Sequence, residues 1–286
     1  MARIGVQAST VRQSFAESGT FETLRRLDEI GYHTVEISQV PMSPDNVSEM
    51  RRAREQLGME IAALSAVLDD SPVPGLESLR NDYDKIVLDC RAVETSMLRI
   101  GMLPLDALGD IDGLVEFATT ANQFAVRLRD EGVDLHYHNH HLEFQKVGGR
   151  YVLDIIAESA PDVGLELDVH WIHRGGLDPV SVLRNYSGRA RLVHLKDYRI
   201  AALPAAALES MRGGDVAAFM RDFLGVVQFA EVGEGNLDWE PVIEQALASG
   251  AEYLLVEQDD TYGRDPFESL AISRANLVAM GYGDLF

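Results

Sequence analysis

Four short stretches of the chain end in residues able to hold a cation or move a proton. They are Val133-Asp134-Leu135-His136-Tyr137-His138, Gly164-Leu165-Glu166-Leu167-Asp168, Arg191-Leu192-Val193-His194-Leu195-Lys196 and Leu254-Leu255-Val256-Glu257. In each, apolar and polar residues alternate with the period of a strand, so one face packs and the other carries the polar groups. Leu165 and Leu167 then share the packed face, and Glu166 and Asp168 the opposite one. The same parity sets His194 and Lys196 against Val193 and Leu195, turns His136 and His138 inward, and leaves Glu257 inward at a strand end. Gln7 and Glu36 fall on this face in two earlier stretches. Carboxylates and imidazoles gathered in one confined space repel and lose hydration unless something holds them. A divalent cation is the simplest agent, and carboxylates with an imidazole suit Mn²⁺, Mg²⁺, Co²⁺ or Zn²⁺. The alternative is a network of ion pairs with Lys196, Arg174 and Arg264.

The densest signal is His136-Tyr137-His138-Asn139-His140-His141-Leu142-Glu143, which holds four of the chain's 8 histidines. A neutral imidazole ligates metal, and a poised one shuttles protons near neutral pH. A loop of surface histidines is the plainer reading, and the strand leading into the segment argues against it.

These residues need a scaffold that brings strand ends together. Strand-like runs lie near Ile4–Ala8, Thr34–Ser38, Ile61–Val67, Met97–Gly101, Val133–His138, Val163–Asp168, Arg191–Lys196 and Tyr253–Glu257. Helical patterns follow near Phe21–Ile30, Pro44–Leu57, Leu76–Thr95, Ile111–Glu131, Tyr151–Ser159, Pro179–Tyr186, Trp239–Ser249 and Pro266–Met280. Glycines 31, 58, 132 and 250 close helices, and Asp178-Pro179 and Asp265-Pro266 open them. Strands alternating with helices predict a parallel sheet, and eight such units predict an α/β fold, the (β/α)8 TIM barrel. Polar groups at the C-terminal strand ends are what an active site at the top of such a barrel requires. With no low-complexity linker, residues 1–286 are expected to form one domain. Residues 199–226, Ala-rich and containing Gly213-Gly214, are expected to be an insertion after the seventh strand, acting as a lid or partner contact, with a packed extra helix as the alternative.

Composition narrows the partners. Of 286 residues, 46% are hydrophobic, enough for a full core. The formal charge of −21 repels phosphate backbones and anionic membrane surfaces, so neither nucleic acid nor membrane is an expected partner. No stretch approaches the roughly 18 apolar residues of a membrane span. Cys90, the sole cysteine, excludes an internal disulfide, and its helical apolar surroundings make it core filler. The opening run enters a strand pattern without a signal-peptide layout, so the cytoplasm is the expected compartment.

The chain resembles the xylose-isomerase-like sugar isomerase/epimerase family, which includes ketose 3-epimerases, hydroxypyruvate isomerases and inosose dehydratases. The resemblance is carried by Ile4-Gly5-Val6-Gln7 with Thr10-Val11-Arg12, by Tyr137-His138-Asn139-His140 with Glu143-Phe144, and by Glu166-Leu167-Asp168. It continues through His194-Leu195-Lys196-Asp197, Glu231-Val232-Gly233-Glu234-Gly235, Val256-Glu257-Gln258-Asp259 and Asp265-Pro266-Phe267-Glu268-Ser269. It implies one divalent metal, manganese first among the candidates, held by Glu143, Asp168, His194 and Glu257. Glu143 lies beyond its strand, and His140 is its rival. It also implies substrate contacts from the inward His170 and the helix-ward Trp171.

An isomerase or epimerase of this kind takes a proton from carbon next to a carbonyl through a metal-stabilised enediolate. Glu143 and Glu257 would pass the proton, His138 and Lys196 would orient or polarise oxygens, and Arg264 would close over a sugar or polyol, with His140, His170, Gln7 and Glu36 lining its site. The same first step followed by expulsion of a β-substituent gives a lyase, an inosose-type dehydratase or one acting on an oxidised glycoside, and the extra histidines keep that alternative open. A zinc-dependent DNA-repair endonuclease, also in the superfamily, is opposed by the acidic charge. A catalytically silent binding barrel is opposed by the retention of every expected carboxylate. Barrels of this kind often pair, and the residues single out no interface.

Overall fold

A strand with both faces covered reads as nearly continuous Val, Ile and Leu, and it is stable only inside a sheet roofed by helices. The computed structural model describes residues 2–69 and 76–286 and shows that arrangement. Eight parallel strands, β1 (Arg3–Gln7), β2 (Thr34–Glu36), β3 (Glu60–Ala66), β4 (Met97–Ile100), β5 (Asp134–His138), β6 (Gly164–Asp168), β7 (Ala190–Leu195) and β8 (Tyr253–Val256), close on themselves. The order around the ring follows the chain, with β8 paired back onto β1. This is the (β/α)8 barrel expected from the alternation.

Parity separates the two faces as the sequence requires. Leu135, Leu165, Leu167, Val193, Leu195, Leu254 and Val256 are fully buried in the layer between strands and helices. Inside the ring, Met97, Leu192 and Leu255 pack with Ala62 and Ala63 as a separate apolar cluster. Above this plug the inner face turns polar, and register brings the polar residues to neighbouring levels: Gln7 beside Glu36, His138 beside Glu166, Asp168 beside His194. Gly164 is needed there, because a Cβ would lie 2.5 Å from the His136 ring.

The helices follow their caps. Ser43 caps Pro44–Leu57, Asp110 caps Ile111–Asp130, Asp178 caps Pro179–Asn185 and Asp265 caps Pro266–Leu277. Where a long helix over 76–95 was expected, the helix runs only Tyr83–Ala92. Ser78 instead bridges to Val67, and the Asp82 carboxylate accepts the Ser78 N–H, so the segment before the helix is a sheet-edge turn.

After β7 the chain leaves the barrel as an antiparallel ribbon, Asp197–Ile200 against Val227–Ala230, carrying helices Ala205–Arg212 and Val216–Leu224 between its arms. The arms place Tyr198 and Phe229 at the barrel mouth. Among the described residues, no helix is long and apolar enough to cross a membrane.

Candidate functional site

His194 stands at the centre of the mouth, fully buried, with acids on both sides. Its Nε2 lies 2.8 Å from Glu36 Oε2 and 3.3 Å from Glu166 Oε1, below. Its Nδ1 lies 2.9 Å from Glu257 Oε2 and 3.9 Å from Asp168 Oδ2, above. Arg99 sits under the lower pair, its Nε 2.5 Å from Glu36 and 3.3 Å from Glu166. Lys196 sits above the upper pair, its Nζ 2.8 Å from Glu257, 3.3 Å from Asp168 and 3.1 Å from Asp259.

These neighbours set the protonation states. Burial works against charge on His194, yet Glu166, Glu36 and Glu257 hold its proton on well above the ordinary range. Burial also opposes ionisation of Glu166, but His194 and Arg99 bring it down to about 2. Glu36, buried beside that carboxylate, is pushed up. Asp168 rises to about 6 through burial, with Lys196 opposing. Glu257 is drawn well below its usual range by Lys196 and His194, against the effect of burial. Three other histidines of the mouth behave oppositely: burial and nearby cations push His138 well down, His140 to about 4 and His170 to about 3, so all three are neutral at pH 7.

Two groups of side chains offer donor atoms within 4.8 Å of one another: His138, Asp168 and His194, and Glu36, Glu166 and His194. The lower group already holds a cation, the Arg99 guanidinium. The upper group fits a divalent ion. His138 is neutral, and His138 Nδ1, His194 Nδ1, Asp168 Oδ2 and Glu257 Oε2 are buried without a well-formed hydrogen bond. Among the described residues, five carboxylates (Glu36, Glu166, Asp168, Glu257 and Asp259) face two permanent cations and protonated His194. That leaves the charge of two carboxylates while His194 is protonated and of three once it gives up a proton to become a ligand, an excess of acid that a dication would offset.

The other residues singled out by sequence spread around this centre. Glu143 is buried, but Tyr137 Oη donates to it at 2.6 Å and the His140 backbone N–H at 2.8 Å, so both its oxygens are engaged. His138, expected to orient substrate, is the residue grouped with Asp168 and His194. Gln7 accepts the Ser9 N–H at 2.5 Å, which shapes the turn after β1. Glu36 lies beneath His194 and not at the open mouth. Arg264 pairs with Glu231 at 2.5 Å.

Trp171 corrects a parity argument. It was expected on the helix side, but β6 ends at Asp168 and the chain turns into helix Val169–Arg174, where strand alternation lapses. The indole lies at the mouth, 4.7 Å from the His170 ring, 5.0 Å from His141, 5.7 Å from His140 and 6.2 Å from Phe229. Lys196 Nζ stands 5.2 Å from its centre. His140 Nδ1, His170 Nδ1 and Trp171 Nε1 are buried without partners, as hydroxyl-binding groups would be. Arg99 joins the site from β4, where Leu98 and Ile100 flank it and fix it inward, a signal present in the sequence; Phe229 carries no local signal, because a distant ribbon delivers it.

Comparison with known proteins agrees with the barrel fold. A family model described as "Xylose isomerase-like TIM barrel" matches residues 24–276. A search of curated proteins finds no match. Among solved structures, a sugar phosphate isomerase/epimerase from Parabacteroides distasonis superposes with a TM-score of 0.73 at 20% identity, covering 99% of this chain and 96% of that one. An L-ribulose 3-epimerase gives 0.68 at 16% identity, covering 100% and 96%. An IolI protein with a bound zinc atom gives 0.67 at 14% identity, covering 99% of both chains. At these identities the likeness concerns the fold.

Proposed function

Because the chain belongs to the xylose isomerase-like TIM-barrel family, we propose that it is a metal-dependent isomerase or epimerase of a sugar or keto-sugar. The observation that carries the reading is the convergence of His138, Asp168 and His194 donor atoms within 4.8 Å at the strand ends, inside an excess of buried acid. His138, Asp168, His194 and Glu257 are the residues that would hold a divalent ion, manganese being our first choice. The bound ion would supply Lewis acidity toward a carbonyl and a neighbouring hydroxyl.

The side chains supply the proton chemistry. Glu143, its proton affinity raised by burial while Tyr137 Oη and the His140 N–H bind its oxygens, would be one of the two carboxylates that pass the proton. Glu257, kept ionised beside Lys196, is a carboxylate able to receive one from the other side. Lys196 presents an ammonium to a substrate oxygen, and the neutral His140 and His170 accept or donate single hydrogen bonds. Trp171 and Phe229 wall the mouth against water. The histidines do not tilt the site toward elimination, since imidazoles whose proton affinity is lowered this far are unprotonated at pH 7 and hold no imidazolium proton to give a leaving group.

The test is incubation of the manganese-loaded protein with ketoses, inososes and 3-keto-glycosides in D₂O. Deuterium at one carbon with an altered epimer or aldose–ketose ratio is expected. An enone absorbance with loss of water or aglycone would replace this reading with a lyase. No exchange in any of them would overturn it.

A further inference from the structure

A cavity of about 380 Å³ opens beside the mouth, between the turns after β1 and the loop after β8. Its size falls at the small end of ligand clefts, which run from about 300 to 1,000 Å³. Two residues of its wall reach the acid cluster. Ser9 Oγ donates to Glu257 Oε1 at 3.0 Å, and Asp259 Oδ1 pairs with Lys196 at 3.1 Å.

The lining has a definite electrostatic character. Four carboxylates, Glu17, Asp259, Asp260 and Asp265, face two guanidiniums. Arg26 lies 3.5 Å over the Phe267 ring and 3.7 Å from Asp265, and Arg12 donates one N–H to the Ser9 carbonyl at 3.4 Å, so the two cations are outnumbered by the four acids. Each carboxylate also has a partner: Glu17 accepts from Gln13, Asp259 from Lys196, Asp260 from the Tyr262 N–H and Asp265 from the Phe267 N–H. In Glu17, Asp259 and Asp260 the second oxygen is left to accept again, while that of Asp265 faces Arg26. Hydroxyls and amides, including Ser14, Thr261 and Gln258, complete the wall.

A phosphate brings negative charge and acceptors only, and it is bound by free guanidinium, ammonium or helix N–H donors. Here it would meet acceptors of its own sign. A sugar hydroxyl both donates and accepts, so it satisfies this lining without a charge penalty. We propose that the cavity is a second saccharide subsite for an uncharged hydroxylated ring. The substrate is then glycoside-like, with its reacting carbon at the mouth and its distal ring between the β1 and β8 loops. The subsite stands on the cavity alone; the link to a reacting carbon rests on the function proposed above.

The experiment is amide NMR of the full chain loaded with Mg²⁺, titrated separately with methyl β-glucopyranoside and inorganic phosphate. The glucoside should give saturable shifts at the amides of Thr10, Gln13, Ser14 and Thr261, and phosphate none there. Gln13→Trp, at an exposed position of the lining, should weaken the glucoside response at Thr261 at least tenfold. It should leave the Mg²⁺-induced shifts at the mouth unchanged, and the rest of the spectrum reports its folding. Absence of saturable shifts with the glucoside, shifts with phosphate, or an undiminished response in Gln13→Trp would each overturn the subsite. The deuterium-exchange assay reads the mouth independently. Glucoside binding without exchange would sink only the proposed reaction, and exchange confined to phosphorylated ketoses would sink only the subsite.

Discussion

Asp197 follows the end of β7 that carries His194 and ties it to the loop 231–239, so the strength of that tie can be worked out. The side chain is fully buried and accepts five hydrogen bonds. Oδ1 receives the N–H of Tyr198 at 2.8 Å and of Leu237 at 3.3 Å. Oδ2 receives the N–H of Gly233 at 3.1 Å and Gly235 at 3.2 Å, and Trp239 Nε1 at 2.7 Å. Asp197→Asn keeps the shape but replaces one acceptor with an NH₂ group. In its better orientation the amide oxygen keeps the three donors on one side, and its nitrogen faces the N–H groups of Tyr198 and Leu237. Two part-buried backbone donors then lose their partner, each at about 1–3 kcal/mol, and charge assistance to the other three is lost. The expected loss is about 3–5 kcal/mol, a large share of the roughly 5–15 kcal/mol that holds a native protein together. Urea unfolding of the metal-stripped protein at pH 7.5 measures it without stabilisation by bound ion. Gly235→Ala should cost a similar amount by sterics, because its Cβ would fall 2.1 Å from Asp197 Oδ1 and 2.4 Å from the Tyr198 carbonyl oxygen. A loss below about 1 kcal/mol in Asp197→Asn, with unchanged m, would show that the loop relaxes around the amide and refute the count.

Other consequences are equally direct. His140 has a folded pKa of about 4 against about 6.5 when unfolded, so below pH 6.5 the unfolded chain takes up a proton that the native one refuses. Stability therefore falls as pH drops, by about 2 kcal/mol between pH 6.5 and 5 from this residue, and the melting temperature of His140→Asn should fall less over that window than that of the unsubstituted protein. An equal fall in both would remove His140 from the account. Glu36→Gln takes away the carboxylate that fixes the His194 ring from below, and manganese affinity followed by electron paramagnetic resonance should weaken 10- to 100-fold; unchanged affinity would mean the upper ligands orient the ring unaided. Asp168→Asn removes charge from the group fitted to the dication, and equilibrium dialysis should show manganese retention lost. Retention there would place the ion elsewhere.

What the sequence showed and what it hid divide along a physical line. Alternation within strands is a local property with a period of two, so the inward placement of Asp168, His194, Lys196 and Glu257 followed from their apolar neighbours alone. The eight β/α units followed in the same way, because caps and glycine stops are written within a few residues of each boundary. Parity stops being informative where a strand ends: Trp171, three residues past β6's inward carboxylate, is carried to the mouth by a helical turn. Glu143 likewise lies in a short 3-10 turn after β5, where Tyr137 and His140 engage it. The lower pair with Arg99 is the instructive omission. Met97-Leu98-Arg99-Ile100 carries the same alternation as the other strands, yet a basic residue does not look like a ligand. Its role appears only once Glu36 from β2 and Glu166 from β6 are seen converging on it. By pairing with both lower acids, Arg99 offsets one of their two charges, so the larger share of unmatched negative charge lies above His194, where Asp168, Glu257 and Asp259 share Lys196.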